Sequence, residues 1–192
     1  TSVAEFHYLH HQPDGTPYSN QSEMSERLFE AASEAGIAIT LLPTLYCRGG
    51  FENEPIKDAQ SRFYHDPDGY LRLLSECLSL CAEDPDRSIG IAAHSLRAVS
   101  PQDLNATITH AKSILKDAPI LIHLAEQIKE VNDCISVNSA RPVSWLFDQF
   151  DVTHQWCLIH ATHVDHKEQA LIAKSGVNVG LCPATGANLG DG

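Results

Sequence analysis

Six short apolar runs alternate with longer amphipathic segments, and this alternation limits the possible folds more than any other feature. The runs occupy residues 3–10, 37–42, 88–93, 120–125, 156–159 and 177–181. Uninterrupted apolar strands separated by helices are typical of a parallel sheet covered by helices. The chain is therefore predicted to be an α/β protein, either a doubly wound sheet or a (β/α)8 barrel.

The segments between the runs carry helix signals. Ser22 is a candidate N-cap for the first helix and Gly36 is its stop. Helices are predicted at residues 23–35, 68–82, 100–115, 142–150 and 165–175. Residues 46–66 show no such periodicity and are predicted to form a long loop.

Polar residues decide between the two architectures. No G-x-G-x-x-G or phosphate-binding lysine loop follows any of the runs, which disfavours nucleotide binding by a doubly wound sheet. Residues capable of chemistry do follow several runs, and a barrel has its active site at the carboxyl ends of its strands. A (β/α)8 barrel is therefore favoured.

Composition limits the class of protein. The 192 residues are 43% hydrophobic, which is enough for one sizeable core and a single domain over residues 1–192. The net charge of −12 disfavours nucleic acid or an anionic membrane as partner, so a small anionic substrate would need local cations. No run approaches the roughly 20 apolar residues of a membrane span. Six cysteines without a C-x-x-C pair indicate reduced thiols and a cytoplasmic protein.

The two ends predict a piece of a longer chain. The sequence opens on Thr1-Ser2 without an initiator methionine and runs directly into an apolar strand. It stops at Asn188-Leu-Gly-Asp-Gly192, a loop sequence with nothing after it to close a fold.

The segment Pro119-Ile-Leu-Ile-His-Leu-Ala-Glu126 contains the strongest chemical signal. His123 ends a buried run and Glu126 follows three residues later. A neutral imidazole that holds a metal, with a separate carboxylate that moves protons, is what metal-assisted deamination needs. A structural histidine and a helix-starting glutamate are the alternative. His94 and His160 end neighbouring runs, so in a parallel barrel the three histidines would converge on one mouth.

The remaining polar residues are divided between site and surface. Arg97 is either a surface arginine or a bidentate clamp for a carboxylate. Asp191 is expected to shape a turn. Positions in loops or at helix starts are expected for His10, His11, His163 and His166, and surface positions for His65, His110 and His154.

Several segments, in order and along nearly the whole chain, resemble formimidoylglutamate deiminase of the amidohydrolase superfamily. They are Ala4-Glu-Phe-His-Tyr-Leu-His-His11, His94-Ser-Leu-Arg-Ala-Val99, His123-Leu-Ala-Glu-Gln127, Arg141-Pro-Val-Ser-Trp145, Trp156-Cys-Leu-Ile-His-Ala-Thr-His163 and Leu181-Cys-Pro-Ala-Thr-Gly-Ala-Asn-Leu-Gly-Asp-Gly192. His-x-x-Glu alone would indicate only a superfamily deaminase. The His-Ser-Leu-Arg-Ala-Val and Asn-Leu-Gly-Asp-Gly segments are more specific to this family.

The resemblance implies a metal-dependent barrel that hydrolyses N-formimidoyl-L-glutamate to N-formyl-L-glutamate and ammonia in histidine breakdown. It implies one divalent ion, with zinc as the expected metal, and His123 as one of its ligands. Glu126 matches the proton shuttle. His160 matches the histidine that polarises the attacked carbon's environment and orients the water.

The resemblance also implies the substrate contacts. His94 and Arg97 match substrate-binding positions, and Arg97 suits the glutamate carboxylate. Tyr8 matches a further contact, although His7 and His10 compete for that position in the same segment. A small anionic substrate is the expected partner, and a homodimer is the expected form of the full-length enzyme.

The chain departs from the family pattern in three places. It carries neither the family's first-strand His-x-His pair nor its eighth-strand aspartate, and Gly186 stands where glutamate is usual. It is thus expected to hold about strands two to seven and to lack the first and last strands. The parent is predicted to be a deiminase and the isolated segment to be inactive. A deaminase for ring substrates, resembling guanine or cytosine deaminase, and a non-catalytic binding module remain the alternatives.

Overall fold

The computed structural model describes residues 1–82 and 84–191, which contain one parallel, curled sheet. Its strands are β1 (Ser2–His7), β2 (Ala38–Leu45), β3 (Arg87–Ile89), β4 (Ile91–Ser95), β5 (Ile120–Leu124), β6 (Trp156–His160) and β7 (Asn178–Gly180). Their order is β1-β2-β4-β5-β6-β7, with β3 also paired to β2. Because neighbouring strands follow chain order without the reversal of a doubly wound sheet, this is part of a barrel, as predicted.

Helices cover the outer face of the sheet. They are α1 (Glu23–Ala35), α2 (Pro67–Cys81), α3 (Pro101–Ile114), α4 (Ile128–Asn138), α5 (Pro142–Gln149), α6 (His166–Ser175) and α7 (Pro183–Leu189). Short 3-10 turns at Phe51–Asn53 and Asp58–Phe63 lie inside the predicted loop. Asp66, Ser100 and Asp165 cap α2, α3 and α6 by accepting backbone N–H groups with their side chains.

Two helices were not predicted, because their sequences carry little apolar periodicity. In α4 the first residue, Ile128, is 56% exposed, and the buried apolar side chains are only Val131 and Cys134. Every residue of α7 is at least partly exposed, and Gly186 lies inside it. Neither helix presents the broad apolar face by which a helix is recognised from sequence.

The predicted strand over 88–93 is two strands, separated at Gly90. The N–H of Gly90 donates to Leu41 O at 2.9 Å, whereas Ile91 N donates to Pro119 O at 2.8 Å. The chain therefore changes from one neighbour to the other at this residue. A Cβ atom here would lie 2.5 Å from Leu42 Cδ2 and 3.0 Å from Pro119 O, so only glycine fits.

The two faces of the sheet bury different layers. Ile120, Ile122 and Leu124 of β5 join the large core beneath the helices. Leu121 faces the barrel interior, where it packs with Leu42 and Ala92. Because side chains alternate along a strand, His123 lies on the interior face above Leu121.

The described residues were compared with two expectations, on membrane spans and on cysteine pairing. No helix there is long and apolar enough to cross a bilayer. The thiols of all six cysteines are free.

Candidate active site

The carboxyl ends of β4, β5 and β6 bring three predicted histidines together. The ring centroid of His123 lies 5.0 Å from that of His94 and 5.3 Å from that of His160. The strand register explains this row, because Ser95 pairs with His123 and Leu124 pairs with His160. The three side chains therefore share one mouth of the half-barrel.

A hydrogen bond fixes the tautomer of His123. Its Nδ1 lies 2.9 Å from the carbonyl oxygen of His94, so Nδ1 carries the hydrogen and donates it. The pKa of His123 is lowered to about 4, mainly by burial and to a smaller extent by His160 and Arg97, while the backbone hydrogen bond acts in the opposite direction. At neutral pH the ring is uncharged and Nε2 keeps a free lone pair, which is the form that binds a metal.

Glu126 and His160 form a contact beside His123. Oε1 of Glu126 lies 3.3 Å from Nε2 of His160, and both side chains are largely buried. Simple alternation along β6 would place His160 on the helix side next to Leu158. The backbone instead adopts positive φ at His160 (74°) and Ala161 (48°), where the strand pattern ends.

Tyr8 and His94 form the other end of the row. Their ring centroids are 5.2 Å apart and nearly perpendicular, and Tyr46 packs on His94 from another side at 4.6 Å. Burial lowers the pKa of His94 well below its usual value, and His123 and Arg97 add to this effect. The structure thus brings Tyr8 into the group, close to the predicted substrate residues.

Arg97 supplies an unpaired cation to the same region. It follows β4 by two residues, is half-buried and takes part in none of the ion pairs between described residues. It lines a cavity of about 180 Å³ whose other charged residues are Lys57, Lys129, Glu54, Glu130 and Asp133. The guanidinium is therefore available to an anionic ligand.

Arg48 holds the segment that carries Arg97, and sequence reasoning missed it. Nε of Arg48 donates to Arg97 O at 2.9 Å, and Nη2 donates to Leu96 O at 2.8 Å and to Val99 O at 3.1 Å. No signal in the sequence distinguishes Arg48 from other arginines, because the three carbonyls that it binds lie 48 to 51 residues away.

A second group of histidines lies beyond β1, and it contradicts one prediction. His65, expected on the surface, is only 5% exposed. The loop over 46–66 folds back on the end of β1, since Arg62 O accepts N–H groups from His10 and His11. The rings of His10 and His65 are 4.6 Å apart, and His7 is also buried.

The other polar predictions agree with the structure. His110 and His154 are exposed, and His163 and His166 lie in the β6–α6 loop and at the start of α6. Asp191 N donates to Gly186 O at 3.0 Å and closes the turn after α7.

Metal-binding capacity is incomplete within residues 1–82 and 84–191. No group of three or more His, Cys, Asp or Glu side chains there is arranged to hold a metal ion. His123 nevertheless fits as one ligand, because its Nε2 lone pair is free and its other nitrogen is fixed by a carbonyl. The described residues thus offer one suitable imidazole, with Glu126 and His160 close by.

The chain is similar in sequence to known deiminases and deaminases. No family model matches the chain. Formimidoylglutamate deiminase from Pseudomonas aeruginosa is 48% identical over 192 residues, which are 100% of this chain and 42% of that protein. 5'-Deoxyadenosine deaminase from Methanoregula boonei is 33% identical over 96 residues, 50% of this chain and 21% of that protein.

The chain is also similar to solved structures. An amidohydrolase from Brucella melitensis superimposes with a TM-score of 0.92 at 49% identity, covering 98% of this chain and 41% of that one. Guanine deaminase from C. acetobutylicum shares the fold. It superimposes with a TM-score of 0.77 at 19% identity, covering 100% of this chain and 42% of that one. The chain is therefore a homologue of formimidoylglutamate deiminase along its whole length, and its sheet is part of an amidohydrolase barrel.

Proposed function

We propose that this chain is part of a longer enzyme that hydrolyses N-formimidoyl-L-glutamate to N-formyl-L-glutamate and ammonia. The observation that carries the proposal is the row of His94, His123 and His160 on adjacent strands, with Glu126 and an unpaired Arg97 beside it. The 48% identity to a deiminase over all 192 residues supports this substrate.

His123 is the residue that would hold the metal, through Nε2. Zinc is the expected ion, and when bound it lowers the pKa of its water so that hydroxide is available near neutral pH. Further ligands would come from strands outside the 42% of the relative's length that this chain matches.

Glu126 serves as the proton shuttle. Its carboxylate takes the two protons of the attacking water, one before and one after the oxygen has bonded to carbon, and passes each in turn to the departing nitrogen. A bond forms between the water oxygen and the formimidoyl carbon, the terminal C–N bond breaks, and the nitrogen leaves as ammonia. His160, 3.3 Å from Glu126, keeps the carboxylate oriented and polarises the region of the attacked carbon.

Arg97, His94 and Tyr8 bind the glutamate part of the substrate. An acidic protein repels a dianion, so a local cation is needed to bind it. Arg97 provides that cation without a competing ion pair among the described residues. His94 and Tyr8, in ring contact, form the adjacent wall. A homodimer and a cytoplasmic location stay predictions.

Ammonia release by the zinc-loaded parent enzyme tests the proposal. Arg97→Met should lower kcat/KM for formimidoylglutamate about 10- to 100-fold, because charged hydrogen bonds contribute roughly 1.5–3 kcal/mol. Arg27→Met, on the exposed face of α1, is the control and should leave kcat/KM unchanged.

The alternatives give different results in the same assay. A deaminase for ring substrates would release ammonia from guanine or cytosine and would tolerate Arg97→Met. A non-catalytic module would release none from any of them. The isolated segment of residues 1–192 should be inactive, and turnover near that of the parent would contradict this prediction.

A further inference from the structure

The backbone forms a strained turn immediately before Glu126. β5 ends at Leu124, and Ala125 has a φ of 52°, in the left-handed region that is strained for a non-glycine residue. The carbonyl of Ala125 accepts an N–H from His163 at 3.0 Å. The N–H groups on this turn still need an acceptor.

Glu130, in the first turn of α4, supplies that acceptor. Its Oε1 accepts the N–H of Ala125 at 3.2 Å, and its Oε2 accepts the N–H of Glu126 at 3.0 Å. The residue is only 3% exposed, so water competes little for these bonds. One carboxylate thus ties both amides of the turn to the helix that follows.

The surroundings of Glu130 compensate part of its charge. Burial raises the pKa of this carboxyl and the Glu126 carboxylate adds to this effect, while Arg97 and the two N–H groups act in the opposite direction. Arg97 lines the same small cavity as Glu130. The side chain therefore lines the same cavity as the proposed substrate cation and bonds to the backbone of the proposed proton shuttle.

We infer that Glu130 is a positioning residue for the reaction: it holds the backbone of Ala125 and Glu126 so that the Glu126 carboxylate meets His160 and the attacking water. The inference rests on the proposed function. In this role Glu130 acts through the backbone of Ala125 and Glu126 and transfers no proton. Outer residues that orient a catalytic group typically affect activity 10- to 100-fold.

Glu130→Gln in the zinc-loaded parent enzyme tests the inference. The amide keeps one acceptor oxygen but places an NH2 group against the second backbone N–H, so the turn loses one bond and gains a repulsive contact. We expect kcat to fall about 10- to 100-fold per folded, zinc-loaded enzyme, with KM within about threefold of the wild-type value. Glu34→Gln, an identical change at an exposed position on α1, should change neither constant.

Amide hydrogen exchange provides a readout independent of turnover. The amides of Ala125 and Glu126 should exchange faster in Glu130→Gln than in the wild type, whereas those of β2 should not change. Unchanged exchange, or a kcat within twofold of the wild-type value, would overturn the inference. Loss of kcat that only follows loss of folded or zinc-loaded protein would also overturn it.

The two proposals fail in different ways. If the wild-type enzyme releases no ammonia from formimidoylglutamate, the proposed substrate is wrong, and Glu130→Gln is then measured on the ring substrate that is turned over. If no substrate is turned over, both the reaction and the role assigned to Glu130 in it are refuted.

Discussion

Glu168 is the side chain whose replacement tests the structure most sharply. It is 0% exposed and lies in the first turn of α6. Its Oε2 accepts hydrogen bonds from Arg141 Nε at 2.7 Å and Asp165 N at 3.1 Å, and its Oε1 accepts from Val143 N at 3.0 Å and Ser144 N at 3.2 Å. One buried carboxylate therefore joins the starts of α5 and α6.

Glu168→Gln replaces one of the two acceptor oxygens by an NH2 group, which removes two of these four hydrogen bonds and the charge. The amide NH2 would face the Arg141 guanidinium, and the Asp165 N–H would lose its acceptor. Removing one partner of a buried ion pair costs about 3–5 kcal/mol. Arg141 keeps bonds to His163 O and a contact with Asp165 at 3.3 Å, so we expect the lower end, about 3 kcal/mol.

Urea unfolding of the zinc-loaded parent at pH 7 measures this loss. With an m value of about 2 kcal/mol/M, the midpoint should fall by about 1.5 M. Glu30→Gln removes an ion pair to Arg27 in which both side chains are more than 60% exposed, so its cost should stay below about 0.5 kcal/mol. Equal midpoints for the two variants would refute the reasoning.

Three further predictions concern packing, pH and metal. Gly90→Ala should destabilise the fold by about 1–3 kcal/mol in thermal unfolding, because its Cβ would collide with Leu42 and Pro119. Gly186→Ala should stabilise the fold by about 0.5–1 kcal/mol, because a Cβ there would have no atom within 4 Å and alanine favours a helix. Equal shifts for the two variants would contradict the Gly90 contacts. Burial lowers the pKa values of His7 and His65 to about 4, so only the unfolded chain takes up these protons between pH 6.5 and 4. Stability should be intact above pH 6.5 and decrease by about 1.4 kcal/mol per pH unit for each histidine below it, and a flat profile from pH 7 to 4.5 would contradict this. Removing zinc with a chelator should abolish ammonia release by the parent, and added zinc should restore it; persistent activity would exclude the metal's role.

Local sequence patterns are sufficient to predict most of the strands and helices. The run ending in His123 is β5, because consecutive apolar side chains suit a strand buried on both faces. The helix predicted over 100–115 is α3, where Ser100 is the cap, Pro101 is the first residue and the Ser100 hydroxyl accepts Asp103 N at 3.1 Å. These signals act within a few residues of each other and can therefore be read from the chain itself.

The errors arose where distant segments decide the environment. His65 is buried because the loop over 46–66 folds onto the residues after β1, and no local pattern encodes that contact. The strand predicted over 88–93 divides at Gly90 because it packs against Leu42 of β2 and Pro119 just before β5, which are far apart in the chain. In each case the deciding atoms are more than 20 residues away in sequence.

The sequence by itself determined the alternating α/β pattern, the residues at the strand ends and the resemblance to a deiminase family, because periodicity and motifs are properties of neighbouring residues. Only the tertiary structure decided which of those residues meet. The hydrogen bond from His123 to His94 O spans 29 residues, and that from Arg48 to Arg97 O spans 49. Parallel pairing creates these contacts by bringing the carboxyl ends of separate strands to one edge.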